Sequence, residues 1–132
     1  MTLIDSNVFM YAAGREHPFK RRAARFLEKV AQGAVDAVID AEVLQEILHR
    51  YRAIGRWPEG RLVYDTARLI FPATLPITTE VMDRARRLLD EHSRLMARDA
   101  LHAAVVETHE LDSICSFDRD FDSLPGLRRI EP

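Results

Sequence analysis

Short apolar runs alternate along this chain with longer stretches in which apolar residues return every three or four positions, so strands and helices are expected in turn. TLID opens as a strand, and SNVFMYAAG turns into a brief helix that stops near Gly14. Between His17 and Gln32, the residues Phe19, Ala23, Ala24, Phe26, Leu27 and Val30 recur at helical spacing, and Gly33 is a natural end. AVDAVID supplies a second buried strand. Asp40 is placed to cap the helix AEVLQEILHRYRAIG, whose apolar face runs through Val43, Leu44, Ile47, Leu48 and Tyr51.

Trp57 and Pro58 begin a further helix, running from about Glu59 to Phe71. ATLPIT reads as a third strand, and Pro72 and Pro76 make it a short or edge strand. Thr78 or Thr79 caps a helix that reaches Asp90 or His92, and the polar HSRLMAR is a connection. Asp99 opens the helix DALHAAVVETHE, DSICSF is a fourth strand, and GLRRIEP is a short final one. Alternation of this kind predicts an α/β fold with a central, mainly parallel sheet of four to five strands and helices on both faces.

Composition narrows the class without naming a function. A chain of 132 residues, 47% hydrophobic and 30% charged, is expected to form one domain with a real core. No apolar stretch approaches the ~20 residues that span a bilayer, and MTLIDSNVF lacks the basic lead and apolar segment of a signal peptide. A single cysteine, Cys115, cannot form an internal disulfide, which favours a reducing, cytoplasmic setting. In SICSF it reads as a buried strand residue. Net charge is −2, so no global positive field advertises nucleic-acid binding. Yet of 19 basic residues only Lys20 and Lys29 are lysine. Genomic base composition accounts for such a bias, and a need to grip phosphate oxygens bidentately would produce it too.

The chemistry sits in four dispersed acids. Asp5 ends an apolar run ahead of the turn formers Ser6 and Asn7, Glu46 lies beside the apolar stripe of its helix, Asp99 opens a helix that is apolar nearly all round, and Asp118 follows the fourth strand. An aspartate at such a junction is ordinarily a helix cap, a glutamate beside a stripe ordinarily forms a surface ion pair, and a cluster such as Asp118, Asp120 and Asp122 is ordinarily a solvated turn. Glu42, one turn before Glu46 on nearly the same face, is an equal candidate for the inward carboxylate. A parallel sheet, however, gathers the carboxyl ends of its strands into one crevice. Carboxylates meeting there repel one another unless a hard cation such as Mg²⁺ or Mn²⁺ neutralises them. Without it they titrate as a group with a proton retained, so cation binding should tighten as pH rises. None of the five histidines stands out as a base: His102 reads as buried and hydrogen-bonded, and His49 and His92 as surface residues.

Taken in order, IDSNVF, QEILHRY, ARDALHAA and SFDRDFD, followed by LPGLRRIEP, resemble the PIN-domain family, and within it the VapC-type ribonuclease toxins of toxin–antitoxin pairs. The resemblance spans almost the whole chain and implies a single domain over residues 1–132 with a three-layer α/β/α fold. It implies that Asp5, Glu46, Asp99 and Asp118 are the metal-binding, catalytic acids, with Glu46 favoured over Glu42 by QEILHRY. Ser116 falls where the family has a small hydroxyl residue that supports the site. Asn7 is a further supporting residue, and Asp120 matches an acid present in only some members. The implied activity is Mg²⁺- or Mn²⁺-dependent endoribonucleolytic hydrolysis of RNA in the cytoplasm, by a homodimer with a VapB-like antitoxin partner and no membrane association. Antitoxin docking is expected to involve the first helices. Arg50, Arg52, Arg98 and Arg119 are candidates for holding substrate, by their proximity in sequence to the acids.

Two other phosphoryl-handling families of similar architecture do not fit. A receiver domain needs adjacent acids after its first strand and a late lysine; Ser6 and Asn7 follow Asp5, and no lysine follows Lys29. A haloacid-type phosphatase needs a second acid where Asn7 stands. The alternative is a PIN-like module that binds RNA or protein without cutting.

Overall fold

Successive side chains of a strand point to opposite faces, and Leu3 and Ile4 accordingly enter two different apolar cores in the computed structural model, which describes residues 1–132. They belong to β1 (Thr2–Ile4), which is followed by α1 (Ser6–Ala13), α2 (Lys20–Ala31), β2 (Ala37–Val38), α3 (Ala41–Ala53), α4 (Trp57–Ile70), α5 (Thr79–Glu91), α6 (Ala97–Thr108), β3 (Ser113–Cys115) and β4 (Arg129–Ile130). A 3₁₀ turn covers Arg119–Ser123.

The strands form one sheet in the order β2-β1-β3-β4, and every pairing is parallel. Leu3 pairs with Val38 on one side and Ile114 on the other, while Ile4 pairs with Cys115. On one face Ile4, Ile39 and Cys115 pack with Val8, Phe9, Leu27, Val43, Ile47 and Val63 from α1 to α4. On the other, Leu3 and Ile114 pack with Val81, Ala85 and Leu88 of α5 and with Ala100 and Ala103 to Val106 of α6. This is the three-layer α/β/α arrangement. Cys115 is fully buried in the first core, where burial pushes its thiol up to about 12. No helix is long and apolar enough to cross a membrane.

Two sequence expectations shift. ATLPIT forms no strand of its own: Leu75 makes a single parallel bridge to Asp40, donating to the Ile39 carbonyl at 2.9 Å and accepting from the Ala41 amide at 2.9 Å. Pro72 and Pro76 flank it, and neither has an N–H to extend a ladder. Helix α6 opens two residues earlier than expected, at Ala97 after Met96, so Asp99 lies within its first turn rather than at its cap. Elsewhere the caps are as read: Asp40 Oδ1 accepts from the Val43 amide at 2.9 Å, and Thr78 Oγ1 from the Val81 amide at 3.3 Å.

One glycine matters to the site. A Cβ at Gly60 would stand 2.3 Å from Cβ of Tyr51, so α4 touches α3 directly there. Tyr51 is a wall of the cleft described next.

Candidate metal centre

The amide of Asp5 donates to the Cys115 carbonyl at 3.0 Å, which makes Asp5 the last rung between β1 and β3. It stands at the N-cap position of α1 with extended backbone, yet its side chain makes no capping bond. Instead Oδ2 accepts from the Ser116 hydroxyl at 2.5 Å. Ser116 follows β3, is fully buried, and accepts in turn from Asn7 Nδ2 at 3.0 Å and from the Asp118 amide at 2.9 Å. One hydroxyl thus ties together the ends of both central strands and the turn that carries Asp118. Arg129 braces the same turn from β4, donating to the Ser116 carbonyl at 3.0 Å and gripping both oxygens of Asp122.

Glu46 arrives from α3. It is 7% exposed, whereas Glu42 stays half-buried one turn away and does not line the cleft. Its Oε2 accepts from Ser6 Oγ at 2.5 Å and its Oε1 lies 2.7 Å from Nε2 of His102. Asp99, from the first turn of α6, and Asp118, which caps the 3₁₀ turn by accepting from the Asp120 amide at 2.9 Å, are half-buried. All four acids line one cleft of about 690 Å³ at the carboxyl edge of the sheet.

Their oxygens fall into two adjoining groups. Asp99, Asp118 and Asp120 bring ligand atoms within 4.8 Å of one another, and so do Asp5, Glu46 and a ring nitrogen of His102. Both His102 nitrogens are already engaged, Nδ1 with Asp40 Oδ2 at 2.8 Å and Nε2 with Glu46, so the ring has no free lone pair for a metal. The remaining donors are carboxylate oxygens, the set that suits a hard divalent cation. Electrostatics points the same way. Burial, only partly opposed by His102 and the Ser116 hydroxyl, pushes the Asp5 carboxyl up. Burial, then the like charges of Asp118 and Asp5, push Asp99 up to about 6. Both anions are unfavourable until a cation shares the cleft. Glu46 behaves oppositely: burial raises it, but the His102 bond and charge and the Ser6 hydroxyl outweigh that, leaving it below the usual carboxylate range.

Of the arginines expected to hold substrate, Arg50 and Arg98 line the cleft, whereas Arg119 and Arg52 are exposed elsewhere. Arg119 follows Asp118 in the 3₁₀ turn and is exposed, but it does not line the cleft. Arg15, Arg56, His17 and His49 line the cleft as well. His49 is exposed, as its sequence context indicated, but on the cleft side of α3. Arg56 is paired with Glu59 at 2.8 Å. The partnership of Asp40 with His102 was not read from the sequence; the cap motif at Asp40 accounts for only one of its two oxygens.

Comparisons with known proteins agree with this architecture. The PIN domain model matches residues 2–127. Ribonuclease VapC13 of Mycobacterium tuberculosis is 45% identical over 130 residues, covering 98% of this chain and 99% of its own. Ribonuclease VapC23 of the same species is 35% identical over 126 residues, covering 93% and 97%. Among solved structures, VapBC2 from Rickettsia felis, bound to a promoter DNA fragment, superposes with a TM-score of 0.76 at 14% identity over 99% of this chain and 98% of the other. Strand order, acidic cleft and sequence similarity over nearly the full length lead to one assignment: the chain belongs to the PIN-domain family, on the branch that holds the VapC chains.

Proposed function

We propose that this chain is a Mg²⁺- or Mn²⁺-dependent endoribonuclease that hydrolyses RNA phosphodiester bonds and acts as the toxin of a toxin–antitoxin pair. The observation that carries the proposal is the meeting of Asp5, Glu46, Asp99 and Asp118 in one cleft at the carboxyl edge of a parallel sheet. Relatives 45% and 35% identical over nearly the whole chain are named ribonucleases, which supports the reaction class.

In this reading the four acids hold the ion. A bound Mg²⁺ or Mn²⁺ lowers the pKa of water and neutralises charge on a phosphate. The protein's own groups do the rest. A bound cation would favour the ionised forms of Asp5 and Asp99, which burial disfavours, and Ser116 and Asn7 keep Asp5 and the Asp118 turn in fixed relation. Arg50, Arg98 and Arg15 line the cleft and offer guanidinium forks to the RNA backbone. His102 takes no proton from substrate, since both its nitrogens are occupied. Asp120 is exposed beside Asp99 and Asp118 and joins the site as an accessory acid.

The same reading gives one PIN domain over residues 1–132, a homodimer in the cytoplasm away from membranes, and a VapB-like antitoxin as its partner; the similarity of the fold to VapBC2 supports that partner. Purified chain should cut RNA with Mg²⁺ or Mn²⁺, lose that activity in EDTA and recover it when metal is restored. Expression should arrest growth unless the antitoxin is co-expressed. RNA that is bound but uncut under every metal condition would instead make the chain a binding module.

A further inference from the structure

The buried interior beneath the cleft holds three carboxylates, Asp5, Asp40 and Glu46, at 6%, 0% and 7% exposure, and His102 at 1% is the only buried side chain able to carry positive charge. No lysine or arginine is buried. His102 reaches all three acids: 2.8 Å to Asp40 Oδ2, 2.7 Å to Glu46 Oε1 and 3.9 Å to Asp5 Oδ1. Ionised carboxylates only accept hydrogen bonds, so a ring placed between two of them donates from both nitrogens. Asp40 is itself immobile, since its other oxygen caps α3 through the Val43 amide at 2.9 Å.

From this geometry we infer that His102 is a positioning residue of the metal site, a two-ended clamp that holds the Glu46 carboxylate at a fixed orientation by anchoring it to Asp40. The chain of contacts runs from the start of α3, across the α6 ring, and back to α3 one and a half turns on, at Glu46. Glu46, which lines the cleft, is held on its second oxygen by Ser6, so each oxygen receives one bond from the protein and retains further accepting capacity. Without the clamp Glu46 keeps only the Ser6 bond, and its burial against Asp5 favours swinging away. Groups that hydrogen-bond a ligating carboxylate set metal affinity in this way. The inference rests on the metal-site reading above and adds to it two residues, Asp40 and His102, that touch neither metal nor substrate.

Asparagine and glutamine separate the two ends of the clamp. Asn places its amide nitrogen about where Nδ1 of histidine lies, and Gln places it about where Nε2 lies. His102→Asn therefore keeps the Asp40 bond and loses Glu46, while His102→Gln keeps Glu46 and loses Asp40. Binding of Mn²⁺ alone to the full chain, followed by the loss of the free-ion electron paramagnetic resonance signal, should weaken about 10-fold or more in His102→Asn and by a smaller factor in His102→Gln. Asp40→Ser is the companion variant: serine still caps α3 but cannot reach the ring, so Mn²⁺ binding should weaken while helix content, read by circular dichroism, is unchanged. Wild-type Mn²⁺ affinity in folded His102→Asn or in Asp40→Ser, or equal losses in His102→Asn and His102→Gln, overturns the clamp alone. Failure of the unmodified chain to bind Mn²⁺ overturns the metal reading and the clamp together.

Discussion

The hydroxyl of Ser116 donates to Oδ2 of Asp5 across 2.5 Å, joining two residues 111 positions apart at the ends of adjacent parallel strands. Because the same oxygen accepts from Asn7 and from the Asp118 amide, the relation between the first and last acids of the site depends on one small side chain. Ser116→Ala leaves the backbone intact but frees Asp5 to rotate. Metal-dependent RNA cleavage should fall about 10- to 100-fold, the usual effect of removing a group that orients a ligand. Ser116→Thr should keep most of it. Equal activity in the alanine variant and the unmodified chain would remove Ser116 from the site.

Asp99 sets the pH dependence. Its carboxyl is raised from 3.8 to about 6 by burial and by Asp118 and Asp5. A carboxyl raised on folding binds more protons in the folded state, so its contribution to stability is full below the unfolded value and is lost as pH climbs through the folded one. The metal-free chain should thus lose thermal stability between about pH 4 and pH 6, and Asp99→Asn should flatten that slope. Mn²⁺ affinity should rise over the same window and then level off, because the ion must displace the proton. Calorimetric melting at matched ionic strength, with and without Mn²⁺, checks both halves of this prediction.

Gly60 is required for the approach of α4 to α3. With a Cβ there only 2.3 Å from Cβ of Tyr51, Gly60→Ala must push the two helices apart. The expected cost is about 1–3 kcal/mol in urea unfolding, as for other overpacked contacts. Tyr51 lines the cleft, so RNA cleavage should weaken alongside stability. A variant as stable as the original would show that the helices separate freely.

Arg50 and Arg98 line the cleft and Arg119 does not. Alanine at either of the first two should raise KM for RNA with a smaller effect on kcat, and each lost phosphate contact should reduce the salt slope of binding by about 0.7. Arg119→Ala should change neither. Filter binding across a salt series, paired with steady-state cleavage, makes the comparison.

Much of this arrangement could be read along the chain because it is written in local periodicity. Apolar spacing placed the six helices, and junctions between strand and helix located Asp5 and Asp118 near the crevice. What escaped was written across the chain. Glu46 and Glu42 sit on nearly one face by spacing alone; packing against Ser6 and His102 is what buries Glu46. His102 and Asp40 lie 62 residues apart, and the cap motif at Asp40 explained that residue so well that its second oxygen drew no notice. ATLPIT reads as a short or edge strand because of Pro72 and Pro76, and the structure reduces it further, to one bridge at Leu75. Arg119 neighbours Asp118 in sequence, yet only Asp118 of the two lines the cleft.

The central claim is that Asp5, Glu46, Asp99 and Asp118 together form a metal site that cuts RNA. Single-turnover RNA cleavage across a Mn²⁺ titration, comparing the unmodified chain with Asp5→Asn, tests it most directly. The predicted result is metal-dependent cleavage by the unmodified chain that EDTA abolishes. Asp5→Asn should be slower by about 10²–10³-fold or more, as expected for losing several kcal/mol of transition-state stabilisation, with its circular dichroism spectrum unchanged. Cleavage by Asp5→Asn at the unmodified rate, or cleavage by the unmodified chain that persists in EDTA, would contradict the claim.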